Sequence, residues 1–123
     1  MTHNVIIAIG SNVSRDNLAK CAPLLSEYME VDSKSDIITT DAIGMKSPQF
    51  ANQLLSGTTD KSADELTRLT KETEKALGRE HGTGMVSIDI DILQYDDIRL
   101  HLHDWEQDYI KQLYCQIKKQ KLQ

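Results

Sequence analysis

Two aspartates, Asp89 and Asp91, stand one residue apart within the isoleucine-rich segment 87–93. Because side chains alternate along a β-strand, both carboxylates would lie on one face of a sheet and the isoleucines on the other. Their Cα atoms would be roughly 6.5–7 Å apart, near enough for both carboxylates to bind a common cation. Hard oxygen ligands favour Mg²⁺ over Zn²⁺, so this spacing indicates a magnesium site.

A second interpretation of the pair is a strand with one face in water, which also alternates polar and apolar residues. Aspartate is a poor residue for that purpose because it is depleted in strands, and threonine, lysine or glutamate would be less costly there. The segment alone leaves both interpretations open. The rest of the chain has to decide between them.

Composition limits the class of protein. The 123 residues suffice for one domain over residues 1–123 and one hydrophobic core. The formal net charge is −5, and the basic residues are dispersed except for three lysines near the C-terminus, Lys118, Lys119 and Lys121. Because nucleic-acid binding requires clustered Lys and Arg, we expect no nucleic-acid partner.

The chain shows no targeting or membrane signal. Its N-terminal apolar run, Val5–Ile9, lacks the basic flank of a signal peptide, and no segment has the length of a membrane span. We therefore expect a cytoplasmic protein that does not bind membranes, and we expect a monomer. Cys21 and Cys115 are too few for a disulfide framework, and we expect both to be buried thiols.

Apolar periodicity and turn residues predict seven elements in the order β-α-β-β-α-β-α. They are a strand at 5–9, a helix capped by Ser14 or Asp16 and disturbed by Pro23, strands at 31–40 and 52–59, a helix from Ser62 to Gly78, the aspartate strand, and a helix from Asp104. This order predicts an α+β fold, ferredoxin-like βαββαβ, with an extra C-terminal helix. Helices would cover one face of an antiparallel sheet, leaving the aspartate face free for ligands.

Several segments, in the same order, resemble the 6-hydroxymethyl-7,8-dihydropterin pyrophosphokinase family. They are Ile9-Gly10-Ser11-Asn12, residues 40–44, Pro48-Gln49-Phe50-Ala51-Asn52, Gly78-Arg79, and the aspartate strand 87–93. Each segment alone is weakly specific, but the ordered set covers most of the chain. The resemblance implies an enzyme of folate biosynthesis that moves pyrophosphate from ATP to a pterin alcohol.

The resemblance assigns the aspartates and the pterin pocket. Asp89 and Asp91 match the pair that holds two Mg²⁺ ions against the phosphates of ATP, and Asp91 could also orient or deprotonate the attacking hydroxyl. The implied pterin-binding residues are Thr40, Ile43, Phe50, Asn52 and Tyr109. Two aromatic rings would stack on the pterin, and an asparagine amide suits its edge. Thr40 and Ile43 could equally be ordinary loop residues.

The resemblance also assigns a nucleotide side, made of Glu74, Arg79, Ser87 and His103. Arg79 would act in catalysis together with Asp89 and Asp91, because a guanidinium near the metal pair stabilises phosphate charge. Glu74 could as well be a solvated residue of its helix, and the sequence leaves that alternative open.

The chain also departs from the family pattern. Ahead of the acidic strand the family has Trp-Gly-Pro-Arg-Thr, whereas this chain has Thr83-Gly84-Met85-Val86-Ser87. Val86 therefore replaces an arginine that contacts phosphate, and the preceding loop is shortened. Because one lost donor commonly costs on the order of two to three decades in rate, we expect a short, divergent member of reduced activity. The alternatives are an impaired paralogue that binds pterin or nucleotide, and a ferredoxin-like protein-interaction module.

Overall fold

The strands form one antiparallel sheet in the computed structural model, which describes residues 1–40, 49–78 and 87–121. The strands are β1 (His3–Ser11), β2 (Glu30–Lys34), β3 (Ile38–Thr40), β4 (Phe50–Thr59), β5 (Asp89–Tyr95) and β6 (Ile98–Arg99), and the helices are α1 (Asp16–Leu25), α2 (Ala63–Ala76), α3 (Leu102–Trp105) and α4 (Asp108–Lys121). The strand order is β2-β4-β1-β5-β6, and β3 also pairs with β4. The aspartate strand thus lies beside β1, next to one edge of the sheet.

Two hydrophobic cores lie on opposite faces of this sheet. On the first face, α1 and α2 pack against β1 and β5 through residues such as Leu18, Leu66 and Ile90. On the second face, α4 packs through Ile110, Leu113 and Ile117. Because β1 is buried on both faces, its apolar run is continuous rather than alternating.

This architecture confirms the predicted α+β, ferredoxin-like fold with an extra C-terminal helix. The two helices of the βαββαβ core share one face, as expected. The second face is not wholly free, because the added helix α4 covers part of it. Each fully buried Leu or Ile of α4 contributes about 1.5–3 kcal/mol of burial free energy, so this helix is firmly attached to the sheet. No described helix is long and apolar enough to cross a membrane.

The segment 31–40, predicted as one strand, is divided into β2 and β3. Ser35 causes the break, because its hydroxyl accepts a hydrogen bond from the backbone N of Leu54 at 2.8 Å. A side chain thereby replaces a backbone partner, and regular pairing ends at Lys34 and resumes at Ile38. Strand β4 begins at Phe50, two residues before the predicted start, which places Phe50 opposite Thr40.

The helix boundaries differ from prediction mainly in the C-terminal part. A hairpin strand, β6, and the short helix α3 precede α4, whereas a single helix from Asp104 was expected. The prediction that Cys115 is buried was wrong, since Cys115 is exposed and Cys21 is buried. In α2, the Ser62 hydroxyl accepts from the N of Glu65 as the capping-box spacing predicts.

Candidate active site

Asp89 and Asp91 lie on the face of β5 that is turned toward α4, and Ile90 between them is buried on the opposite face. In the antiparallel ladder with β1, Asp89 is opposite Gly10 and Asp91 is opposite Ala8. These two small residues leave space in front of the carboxylates, which are half-buried. The simple solvent-facing interpretation is thus insufficient, because the pair lines a partly open cavity between β5 and α4.

The electrostatics of the pair show a shortage of positive charge. Burial, followed by the charge of Asp89 and a hydrogen bond with it, raises the pKa of Asp91 from 3.8 to about 6. His101 and Lys71 act in the opposite direction but do not compensate. A bound cation would relieve the repulsion between the carboxylates and favour ionisation of both.

The described residues provide carboxylates for a cation but not a complete metal cage. Within 1–40, 49–78 and 87–121, no group of three or more His, Cys, Asp or Glu side chains is placed to hold a metal ion. That donor set suits Mg²⁺, which is commonly bound by one or two carboxylates and completes its coordination with water and substrate phosphates. The donor chemistry of Asp89 and Asp91 therefore fits magnesium.

The raised pKa of Asp91 predicts how stability depends on pH in the ligand-free protein. Between about pH 4 and pH 6 the folded chain holds a proton on Asp91 that the unfolded chain has released. The free energy of unfolding should therefore decrease as the pH rises through this window. Urea unfolding at several pH values would measure the decrease, with Asp91→Asn as the control. An equally steep decrease in that variant would contradict the assignment.

The cavity in front of the aspartates brings together most of the implied pterin residues. Its volume is about 60 Å³, and its lining includes Asp89, Asp91, Phe50, Asn52 and Tyr109. Ligand sites usually measure roughly 300–1,000 Å³, so a bicyclic ring would have to widen this cavity, for example by rotation of an aromatic side chain. The sequence placed these five residues in three separate segments, and the fold brings them to one place.

Asn52 is held in one amide orientation. Its Nδ2 donates to Thr40 Oγ1 at 2.8 Å, to the carbonyl O of Phe50 at 3.2 Å and to that of Ile38 at 3.4 Å. Three acceptors around the nitrogen assign the amide, so its Oδ1 lies on the side of Gly10. Asn52 therefore presents an acceptor to the cavity. Thr40 contributes through its hydroxyl, by orienting Asn52.

Tyr109 reaches the cavity from the first turn of α4, where Ile110 and Leu113 pack against the sheet. Burial raises the pKa of Tyr109, and the carboxylates of Asp104, Asp91 and Asp89 raise it further. The phenol is therefore neutral over the physiological range. It can serve as an aromatic wall and as a hydrogen-bond donor or acceptor.

Glu74 is buried, which rules out the alternative of a solvated helix residue. Its Oε2 accepts a hydrogen bond from the backbone N of Ile90 at 2.8 Å and lies 3.4 Å from Lys71 Nζ. Ile90 stands between the two aspartates, so Glu74 fixes the backbone of the strand at that point. The described structure thus gives Glu74 a role in holding β5.

The remaining residues of the implied nucleotide side are more scattered. The carbonyl of Ser87 accepts from Asn17 Nδ2 at 2.7 Å, while its buried hydroxyl finds no hydrogen-bond partner in the described part of the chain. His103 is 83% exposed and lies 3.8 Å from Glu106. Ile43, Arg79 and Val86 lie outside the described residues.

Sequence reasoning missed three features of this site. Gly10 was treated as a turn residue, yet it faces Asn52. His101 lies beside Asp91, and Lys71 on α2 acts on it electrostatically, and only the three-dimensional structure reveals either relation. The spacing could have suggested that Lys71 contacts Glu74, because it precedes Glu74 by three residues, almost one turn of a helix.

A known protein family matches the part of the chain that forms this site. The model of a family described as 7,8-dihydro-6-hydroxymethylpterin-pyrophosphokinase (HPPK) matches residues 6–119, a range that includes the residues of this site. The chain is also similar to a folate synthesis bifunctional protein of Arabidopsis thaliana, with 29% identity over 121 residues. That similarity covers 86% of this chain and 25% of the plant protein, so the chain spans about a quarter of the relative's length.

Proposed function

Because the chain belongs to the 7,8-dihydro-6-hydroxymethylpterin-pyrophosphokinase family, we propose that it transfers pyrophosphate from ATP to 6-hydroxymethyl-7,8-dihydropterin. The products are AMP and the pterin diphosphate, an intermediate of folate biosynthesis. The observation that carries the proposal is the cavity that Asp89, Asp91, Asn52, Phe50 and Tyr109 line together, with Asp104 and Gln53 as its other polar side chains. We assign a distinct task in the reaction to each of the first five residues.

The aromatic rings and the amide bind the pterin. Phe50 and Tyr109 receive the flat ring, and each face adds roughly 1 kcal/mol beyond burial. Asn52 Oδ1 accepts from an N–H on the pyrimidine edge, because its Nδ2 is already engaged by Thr40 and two carbonyls. With the ring held in this way, the hydroxymethyl group would face Asp89 and Asp91, which line the same cavity.

The aspartates organise the reacting groups. Asp89 and Asp91 would hold Mg²⁺, two ions as the resemblance implies, and the metal would supply positive charge to the triphosphate and to the transferred group. The hydroxymethyl oxygen attacks the β-phosphorus, the bond from the α-phosphate oxygen to that phosphorus breaks, and AMP leaves. As the resemblance implies, Asp91 would also orient the hydroxyl and receive its proton.

Gly10 is expected to be required for pterin affinity. A Cβ added there would lie 3.3 Å from Asn52 Oδ1, 3.4 Å from the carbonyl of Ala51 and 3.7 Å from Phe50. Because Asn52 is held by hydrogen bonds through its Nδ2, it cannot yield easily. Gly10→Ala should weaken pterin binding about five- to tenfold, which corresponds to roughly one hydrogen bond.

Calorimetric titration of the Gly10→Ala variant with the pterin would measure this loss. Binding of α,β-methylene ATP should change much less, because the new methyl group faces the pterin side of the cavity. Equal losses for both ligands would instead indicate a general distortion of β1 and would contradict the local explanation.

A second candidate function is a paralogue that binds these ligands without turnover. Val86 in place of a phosphate-binding arginine favours it, because such a donor stabilises the transition state more than the bound substrate. Calorimetry distinguishes the two functions: both bind pterin and nucleotide, but only the enzyme forms AMP. We favour a slow enzyme, since the aspartates retain the position that metal binding needs.

The test of the proposed function is AMP formation from ATP by the purified chain. AMP should accumulate only when the pterin alcohol and Mg²⁺ are both present, with equal amounts of pterin diphosphate. Omission of the pterin and addition of EDTA provide the two controls. If no pterin-dependent AMP forms at enzyme concentrations comparable to those of the substrates, the chain is not a pyrophosphokinase.

A further inference from the structure

His101 occupies an unusual backbone position beside the aspartates. It has φ 51° and ψ 54°, the left-handed region that residues other than glycine adopt rarely. Neighbouring contacts hold it there: Leu100 N donates to the carbonyl of Leu93 at 2.9 Å, and Asp104 N donates to the carbonyl of His101 at 2.8 Å. Glycine would adopt this backbone conformation without strain, yet the chain has histidine at this position.

The imidazole of His101 is directed to the metal-binding pair. Its Nε2 lies 4.0 Å from Asp91 Oδ1, and the side chain is 49% exposed. The distance is too long for a direct hydrogen bond, so the ring lies near Asp91 without bonding to it. His103, which the family resemblance assigns to the nucleotide, is 83% exposed and contacts Glu106 instead.

The groups near Asp91 indicate which kind of ligand the imidazole of His101 can bind. Lys71, on α2, also lowers the pKa of Asp91, but its Nζ lies against Glu74, 3.4 Å from Oε2. The imidazole of His101 therefore accompanies an acidic pair that suits magnesium, an arrangement complementary to an anion that carries the metal. Phosphate oxygens are strong acceptors for such donors. Strained residues that persist beside an active site commonly serve its function.

We propose that His101, rather than His103, is the histidine of this chain that binds the phosphate oxygens of the nucleotide, by donating a hydrogen bond from its imidazole. The proposal rests on the proposed function, because it requires a nucleoside triphosphate at Asp89 and Asp91. It also gives a physical reason for histidine at a position where glycine would be easier to accommodate.

Four variants test the proposal by calorimetric titration with α,β-methylene ATP and Mg²⁺. His101→Gly and His101→Asn remove the donor or shorten its reach, and both residues tolerate the left-handed conformation. His101→Gln retains a donor at a similar reach. His103→Asn is the matched control on the next exposed histidine. Melting temperatures of the ligand-free variants report on folding.

The Gly and Asn variants should bind the nucleotide at least about tenfold more weakly, as expected for a lost hydrogen bond to a charged group. The Gln variant should stay within about threefold of wild type, and so should His103→Asn, which tests the competing assignment to His103. All four variants should melt near the wild-type temperature. Wild-type affinity in the Gly and Asn variants would overturn this inference alone, as would an equal loss in the Gln variant or in His103→Asn. A wild-type protein that binds no nucleotide would overturn the proposed function as well.

Discussion

Replacement of Asp89 or Asp91 by asparagine is expected to lower pterin-dependent AMP formation at least about a hundredfold, without destabilising the ligand-free protein. The loss of rate follows from the loss of a charged ligand for Mg²⁺, since even partners that only orient ligands are worth ten- to a hundredfold. The unchanged or increased stability follows from the burial of Asp91 and its repulsion by Asp89, which together raise the pKa of Asp91 to about 6. Asparagine removes that repulsion and retains the size of the side chain.

Thermal unfolding with and without Mg²⁺ and α,β-methylene ATP would separate these two effects. Wild-type protein should be stabilised by the ligands, by about 2.7 kcal/mol at a hundredfold excess over the dissociation constant. The asparagine variants should lose this increment. Asp97→Asn, in the exposed β5–β6 turn, is the matched control and should behave as wild type. Variants with rates within tenfold of wild type would refute the metal assignment.

Glu74→Ala is expected to destabilise the protein by about 2–3 kcal/mol. The change removes a buried carboxylate of α2 that accepts from the N of Ile90 on β5 at 2.8 Å, and this donor thereby loses its acceptor. For a domain of this size the melting temperature should fall by roughly 10 °C. Because Ile90 lies between the two aspartates, AMP formation should decrease too.

Glu74→Gln is the matched control for this prediction. The amide oxygen of glutamine can still accept from the backbone N of Ile90, whereas the ion pair with the half-exposed Lys71 is lost. Its free energy of unfolding should therefore lie within about 1 kcal/mol of wild type. If Gln and Ala are equally destabilising, charge rather than the hydrogen bond at Ile90 explains the role of Glu74.

The sequence predicted the sheet, α2 and the shared face of the aspartates because each depends on local periodicity. The alternation around Asp89 and Asp91 and the capping box at Ser62 are signals of this kind. The division of segment 31–40 was missed, because it depends on a hydrogen bond from distant Leu54 to Ser35. Local pattern cannot reveal a side chain that replaces a backbone partner of another strand.

For the site, residue types were predictable but their contacts were not. Phe50, Asn52 and Tyr109 share a cavity only because β4 and α4 meet on the same face of the sheet. His101 was overlooked because the resemblance assigned the nucleotide-binding role to His103 by its position along the chain. The hairpin at β6 instead brings His101 close to Asp91. Glu74 was left undecided because a helix position does not specify which neighbour it contacts.

The most direct test of the central claim is a crystal structure of the chain with α,β-methylene ATP, Mg²⁺ and the pterin alcohol. We predict metal ions coordinated by Asp89 and Asp91 and by the phosphates, with the pterin between Phe50 and Tyr109 and its edge at Asn52. Its hydroxymethyl oxygen should face the β-phosphorus. Density for nucleotide and pterin elsewhere, or aspartates that contact no metal under these conditions, would contradict the proposed function.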